Sequence, residues 1–215
     1  MKKILYVLIC FVFVQCENSQ KTIKESNVLS DCLSKEDIVN IDKGVSIFEK
    51  LLKDYYKVEG AVDVSTYKKY LSDFSSMKLP RNFFVSKEAV NYLKQIKKVP
   101  TFNSIYKLYE EPEYDEVEIP ITERVGDKGG EKEELPDFYV FDMKGKLASC
   151  IQQKSKDKSL KDYLQTSEKV PDISPAVKAF AMVEVLGNVE KDMDIAILSI
   201  TFELFYESIQ MFNKF

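Results

Sequence analysis

The chain has 215 residues, of which 45% are hydrophobic and 31% are charged, and its formal net charge is −4. This length and composition predict one large domain or two small ones with a hydrophobic core, and the acidic balance argues against a nucleic-acid partner. The sequence contains no histidine, which excludes Ser-His-Asp and Cys-His catalytic sites and histidine-ligated zinc.

The N-terminal segment has the layout of a secretory signal. Lys2 and Lys3 precede an unbroken apolar run at residues 4–14, and Cys16 closes the segment. The run is too short for a transmembrane helix, which needs about 20 apolar residues. A cysteine in this place resembles the acceptor cysteine of bacterial lipoproteins, a likeness confined to residues 1–16. The resemblance implies acylation of Cys16 and a lipid anchor in the bacterial cell envelope; secretion without a lipid and an uncleaved anchor are the alternatives.

A polar stretch follows the signal. Residues 17–31 are rich in Ser, Asn, Gln and Lys without apolar periodicity, which predicts a flexible tether. Ser34 and Asp37 then form a capping-box pattern, and apolar residues recur at helical spacing, so we predict a helix over residues 34–57. Gly44 inside this helix costs about 1 kcal/mol relative to alanine, which suggests a close helix contact.

Shorter helical patterns come next. Ser65 is predicted to cap a second helix that ends before Pro80, and Ser86 a third that ends before Pro100. Residues 103–109 carry a fourth, shorter helical pattern. Several short helices in succession favour an antiparallel helical array.

Residues 110–137, here called the acidic segment, interrupt the helices. They contain twelve acidic residues against three basic ones, a local charge of −9. Residues 117–121 alternate like a strand, which Pro120 confines to a sheet edge. The segment is either a solubilising loop or a surface that recognises a basic protein. For the second case the candidate contacts are Glu131, Glu133 and Glu134.

The next pattern predicts a β-hairpin. Residues 138–143 alternate as a strand, Gly145 lies in a turn that demands positive φ, and residues 147–152 form the second strand. A small helix is expected at residues 159–165, and a longer one from Pro175 with Gly187 as its stop.

The last helix begins near Asp192 and Asp194 and is apolar over most of its circumference. This pattern predicts a central core helix rather than a membrane span. A polar stripe along it is predicted to face solvent: Ser199, Glu203, Glu207, Gln210 and Lys214. The predicted fold class is α+β, predominantly α: an antiparallel helical array with a small β-hairpin or short sheet, in one domain over residues 32–215.

Signal removal and acylation use two of the four cysteines. Cys32 and Cys150 remain, and in an oxidising compartment they are either paired or two buried thiols. A disulfide over so long a loop would stabilise the domain by at most about 4–5 kcal/mol.

The motifs offer little support for an enzyme. Ser-x-x-Lys, which resembles the nucleophile motif of penicillin-binding proteins and β-lactamases, begins at Ser65, Ser75, Ser104 and Ser155. Neither Ser-Asp-Asn nor Lys-Thr-Gly accompanies it, and that family's chemistry needs these partners. We expect no cofactor and no metal, because the acidic segment lacks a calcium-loop pattern.

Two functions therefore compete. The first is a lipid-anchored envelope protein that binds another protein or serves a structural role, with an immunity-type inhibitor of a basic toxin as one form. The alternative is a hydrolase that cleaves a cell-wall or surface polysaccharide with two carboxylates, for which Glu203 and Glu207 are one spaced pair.

Overall fold

The computed structural model describes residues 29–109, 138–170, 173–188 and 192–213. Within these ranges the chain forms a predominantly helical α+β fold with one two-stranded antiparallel sheet, which confirms the predicted class. The elements in chain order are α1 (Lys35–Tyr56), α2 (Val64–Ser75), α3 (Arg81–Phe84), α4 (Lys87–Ile96), α5 (Thr101–Ile105), β1 (Tyr106–Leu108), β2 (Tyr139–Phe141), α6 (Lys146–Lys154), α7 (Lys158–Lys169), α8 (Pro175–Asn188) and α9 (Met193–Phe212).

The first helix confirms the sequence prediction. Ser34 Oγ accepts a hydrogen bond from the Asp37 backbone N–H at 3.1 Å, and the Asp37 carboxylate accepts from the Ser34 N–H, so the capping box is complete. The helix ends at Lys57, which adopts a left-handed conformation with φ 56°. At the other end of the helix, the capping box satisfies two backbone N–H groups that have no partner within the helix.

Gly44 lies where α1 approaches α4 and α9. A Cβ atom at this position would lie 2.5 Å from Tyr92 Oη and 2.9 Å from Phe202 Cζ. The Gly44 carbonyl accepts a hydrogen bond from the Tyr206 hydroxyl at 2.9 Å. The predicted close contact is confirmed, since only a residue without a side chain allows this approach.

Helix α9 is the centre of the core. By length and composition it is the one helix within the described ranges that could cross a membrane, but 83% of its apolar window is buried inside the protein. Its middle, Ile200–Tyr206, is a π-helix whose seven residues are all buried. Phe205 of this segment stacks on Phe48 of α1 with ring centroids 4.4 Å apart. The core role predicted for this helix is therefore confirmed.

The solvent-facing stripe predicted on α9 is wrong for Ser199, Glu203 and Glu207, while Gln210 is half-buried and Lys214 lies outside the described residues. Ser199 and Glu203 are fully buried, and Glu207 is 7% exposed. The prediction assumed 3.6 residues per turn throughout, whereas the π-helical turns shift the faces of the helix. Helices α7 and α8 also cover this side and supply polar partners for the carboxylates.

The predicted hairpin is also wrong. Strand β2 pairs with β1, in the register Tyr106↔Phe141 and Leu108↔Tyr139, and residues 147–152 belong to helix α6. Gly145 has φ −66° and stands at the N-cap of α6. Leu147, Ala148, Cys150 and Ile151 are buried along one face of α6, a spacing that suits a helix better than a strand.

Several predicted boundaries change in detail. Asp63 rather than Ser65 caps α2, because its side chain accepts from the Thr66 backbone N–H. The helix predicted over residues 103–109 divides into α5 and β1. Gly187 lies inside α8 rather than stopping it. The strand predicted at residues 117–121 lies outside the described residues.

The Sγ atoms of Cys32 and Cys150 lie within bonding distance, with Cα atoms 5.8 Å apart. This pair joins the chain just before α1 to helix α6, 118 residues later. An ion pair between Lys154 and Asp31, at 2.6 Å, lies on the same two parts of the chain. The start of the domain is thus held against its middle.

Candidate functional site

Four ionisable or polar side chains lie close together where α7 and α8 pack against α9: Tyr163 of α7, Lys178 of α8, and Glu203 and Glu207 of α9. We call them the polar core cluster. All four are buried, with side-chain exposures of 8% for Lys178 and 0% for Glu203. Charged groups rarely enter a core unless they are paired, because leaving water costs several kcal/mol per ion.

Glu203 is the hub of the cluster. Its Oε1 lies 3.1 Å from Lys178 Nζ, and its Oε2 accepts a hydrogen bond from the Tyr163 hydroxyl at 3.1 Å. The contact with Lys178 is an ion pair rather than a well-directed hydrogen bond. Burial works against the charge of Lys178, but the carboxylates of Glu203 and Glu207 outweigh it and raise the pKa of the ammonium. Lys178 is therefore a cation at neutral pH.

Glu207 connects the cluster to the sheet. Its Oε2 accepts a hydrogen bond from the Phe141 backbone N–H of β2 at 2.7 Å. Burial raises the pKa of Glu207 to about 7, and the charge of Glu203 adds to this, whereas Lys178 and the Phe141 N–H work to lower it. Glu207 is thus a carboxyl whose pKa is close to neutral pH. Histidine usually provides a group with such a pKa, and this chain contains no histidine.

Tyr163 closes the cluster on the side of α7. Burial raises the pKa of its phenol, and the nearby Glu203 carboxylate raises it further, so the hydroxyl keeps its proton and serves as a donor. Next to the cluster, Tyr163 and Lys178 line a groove of about 340 Å³ between α7 and α8. Val177, on the same groove, is 57% exposed. The cluster therefore lies close to the surface on one side.

A second feature is a cleft of about 560 Å³ between α1, the start of α2 and the start of α9, which we call the acidic cleft. Four carboxylates and two lysines line it: Asp42, Glu49, Asp63, Asp194, Lys50 and Lys53. Valine, methionine and isoleucine side chains form the rest of its wall together with Ser46 and Tyr67. The cleft thus combines an apolar wall with an excess of negative charge.

Within the acidic cleft, the carboxyl of Glu49 has a raised pKa. Burial raises its pKa, the hydrogen bond from the Tyr67 hydroxyl at 2.8 Å and the charge of Lys53 lower it, and the negative charge of Asp194 raises it again. Glu49 and Asp194 are two interacting carboxyls in one cleft, and acid–base hydrolysis by carboxylates needs such a pair. The acidic cleft is therefore the place where a carboxylate hydrolase would act.

The structure describes some of the predicted site residues and not others. Cys16 and the three candidates Glu131, Glu133 and Glu134 lie outside the described residues, while Cys32 and Cys150 are adjacent. The Ser-x-x-Lys serines take local roles. Ser65 Oγ donates to Asp63, Ser75 Oγ to the Ser72 carbonyl, and Ser155 Oγ to Asp192, and Ser104 is buried in α5. In the part of the chain that the structure describes, His, Cys, Asp and Glu form no group suited to a metal ion.

The spacing of Glu203 and Glu207 predicted a solvent-facing stripe, and neither Lys178 nor Tyr163 was among the predicted site residues. A signal for the cluster does exist. Lys178 is the one basic residue of the mostly apolar α8, and Glu203 is the one charged residue in the mostly apolar stretch Ile200–Tyr206 of α9. Opposite charges within two mostly apolar helical stretches favour a buried pair.

Comparisons with protein families, with curated proteins and with solved structures find no match to this chain.

Proposed function

We propose that the protein is a lipid-anchored component of the bacterial cell envelope that binds a basic protein, in the manner of an immunity-type inhibitor. The observation that carries this proposal is the position of the acidic segment. Tyr109 and Phe138 flank the acidic segment, and the Tyr109 N–H donates to the Phe138 carbonyl at 2.7 Å. Twelve carboxylates therefore belong to a stretch whose two ends are held side by side.

The strands at this point are themselves anchored in the core. The Tyr106 hydroxyl of β1 donates to the Phe202 carbonyl of α9 at 3.1 Å, and β2 is held by Glu207. A stretch with a net charge of −9 sets up a negative electrostatic field around itself. Such a field increases the association rate of an oppositely charged partner, and the effect weakens with salt.

The proposed anchor supports the same function. Cys16 and the part of the polar tether before Leu29, which is itself buried in the core, would hold the domain at a membrane surface, where an envelope partner is captured. The acidic balance of the chain and its lack of a basic surface pattern favour a protein partner over a nucleic acid.

The test compares two triple variants that each remove three negative charges. Glu131, Glu133 and Glu134 are replaced by Gln in one variant; the control replaces Glu59, Glu168 and Glu184, which are exposed on other parts of the surface. A partner is first recovered by pull-down of the tagged, anchored protein from the envelope, and its association rate is measured at low and high salt. We expect the first variant to associate more slowly with a flatter salt dependence, at an unchanged unfolding midpoint.

The control should associate nearly as fast as the wild type. Equal association rates for wild type and both variants at both salt concentrations would contradict the proposal. That result, accompanied by lower solubility of the first variant, would identify the acidic segment as a solubilising loop.

We keep a polysaccharide hydrolase as a second candidate because of the raised pKa of Glu49 beside Asp194 in the acidic cleft. The measurement is the release of reducing ends from cell-wall glycan. Glu49→Gln should abolish turnover, and Glu168→Gln, an exposed change on α7, should leave it intact. Absence of glycan cleavage by the wild type would eliminate this candidate.

A further inference from the structure

Two side-chain hydrogen bonds attach the β1–β2 ladder to α9, one from the Tyr106 hydroxyl of β1 to the Phe202 carbonyl and one from the Phe141 N–H of β2 to Glu207. Strand β2 has three residues, and its Phe141 N–H points to Glu207 Oε2 at 2.7 Å rather than to another strand. A two-stranded ladder of this length has little stability of its own and must lean on the core. The packing of β2 on α9 therefore responds to whether the Glu207 carboxyl is protonated or ionised.

Groups from four elements determine that state. Lys178 of α8 is the cation near Glu207, Glu203 of α9 is the second anion, and the phenols of Tyr163 on α7 and Tyr106 on β1 complete the surroundings. One ammonium therefore faces two carboxyls. When both carboxyls are ionised, the buried cluster carries a net negative charge, which contact with water would stabilise.

We propose that Glu207 is a proton-dependent clamp on the β1–β2 ladder: the protonated carboxyl keeps β2 seated on α9, and the ionised carboxylate promotes opening of the ladder. The neutral form still offers an oxygen to the Phe141 N–H and no longer repels Glu203. The ionised form makes a stronger hydrogen bond to Phe141, but it is buried beside a like charge and gains hydration when β2 moves away.

The direction of the pH effect follows from linkage. The pKa of Glu207 in the closed ladder is about 7, above the ordinary value of 4.5 that an exposed carboxyl has. The closed form therefore binds a proton that the open form releases at intermediate pH. Opening becomes more favourable as pH rises from about 4.5 to about 7 and levels off above this range.

The test follows the backbone amides at the ladder by hydrogen exchange, using the folded protein without any partner. The amides of Phe141 and Tyr109 are monitored by NMR between pH 5.5 and 7.5, and the opening equilibrium is obtained after correction for the intrinsic exchange rate. In the wild type we expect the opening constant to rise on the order of tenfold over this interval. In Glu207→Gln, which keeps the acceptor oxygen but cannot ionise, it should stay constant.

Glu168→Gln on the exposed face of α7 serves as control and should retain the wild-type rise. A flat wild-type profile, or an equal rise in Glu207→Gln, would overturn the clamp. If the Gln variant fails to fold, the carboxyl of Glu207 is titrated directly by carbon NMR in the wild type, and a midpoint below pH 5.5 would overturn it equally. These measurements use the protein without any partner, so their outcome does not depend on the proposed function.

Discussion

Replacing Lys178 by methionine isolates the contribution of the buried ion pair. Methionine approximates the length of the lysine stem and keeps its packing, but it removes the cation 3.1 Å from Glu203 Oε1. Glu203 would then lie in the core with the Tyr163 hydroxyl as its hydrogen-bond donor and without the cation at its other oxygen. Lys178 also stabilises the ionised form of Glu207, so the substitution removes the nearby positive charge from this carboxyl as well.

The magnitude follows from burial. Lys178 is 8% exposed and Glu203 is 0% exposed, so solvent screens neither charge. Removing one partner of a buried pair costs about 3–5 kcal/mol, which is a large fraction of the roughly 5–15 kcal/mol that stabilises a typical domain. With a urea slope of about 2 kcal/mol per molar, the unfolding midpoint should fall by about 1.5–2.5 M.

A matched control exists on the neighbouring helix. Lys158 pairs with Asp162 at 3.7 Å, but its side chain is 90% exposed. Lys158→Met should therefore change the free energy of unfolding by less than about 1 kcal/mol. The double variant Lys178→Met with Glu203→Gln removes both buried charges and should recover a substantial part of the loss.

Urea unfolding at pH 7, followed by circular dichroism and tyrosine fluorescence, measures all four proteins. Coincident curves from the two signals justify a two-state treatment. A loss below about 1 kcal/mol for Lys178→Met, or a double variant no more stable than the single one, would refute the reasoning from the buried pair.

Three further predictions follow from the described geometry and the sequence. Gly44→Ala should destabilise the protein by about 1–2 kcal/mol in urea, because its contacts with Tyr92 and Phe202 outweigh the gain in helix propensity; Gly187→Ala, in open space on α8, should instead be neutral or stabilising. Cys32 and Cys150 in protein from the envelope should resist alkylation until reductant is added, as intact mass will show; two free thiols would contradict the bridge. Cys16→Ser should release the protein from membranes and abolish acyl labelling, and unchanged membrane partitioning would exclude the lipid anchor.

Local signals in the sequence predicted α1 well. Its capping box, apolar period and tight glycine contact all involve residues close together in the chain or a single unusual residue. The hairpin failed for the opposite reason. The true partner of β2 is β1, on the far side of the acidic segment, and a turn-forming Gly145 next to β2 offered a nearer but incorrect partner.

The polar core cluster was missed because charge was taken as a mark of the solvated face. Glu203 and Glu207 are spaced one turn apart, which is also the spacing of a wet stripe. Their burial becomes stable only when α7 supplies a phenol, α8 an ammonium and β2 a backbone N–H. Those partners are distant in sequence, and the helical period of α9 carries no information about them.

The position of the two adjacent cysteines has a consequence for protein handling. Cys32 belongs to the chain before the acidic segment and Cys150 to the chain after it, so any single cut within residues 110–137 leaves one member of this pair in each fragment. With the sulfur atoms bonded, the nicked molecule would migrate as one species on a non-reducing gel and as two on a reducing gel. Core contacts such as the stacking of Phe48 on Phe205 also join the two fragments, so the nicked protein should keep its fold.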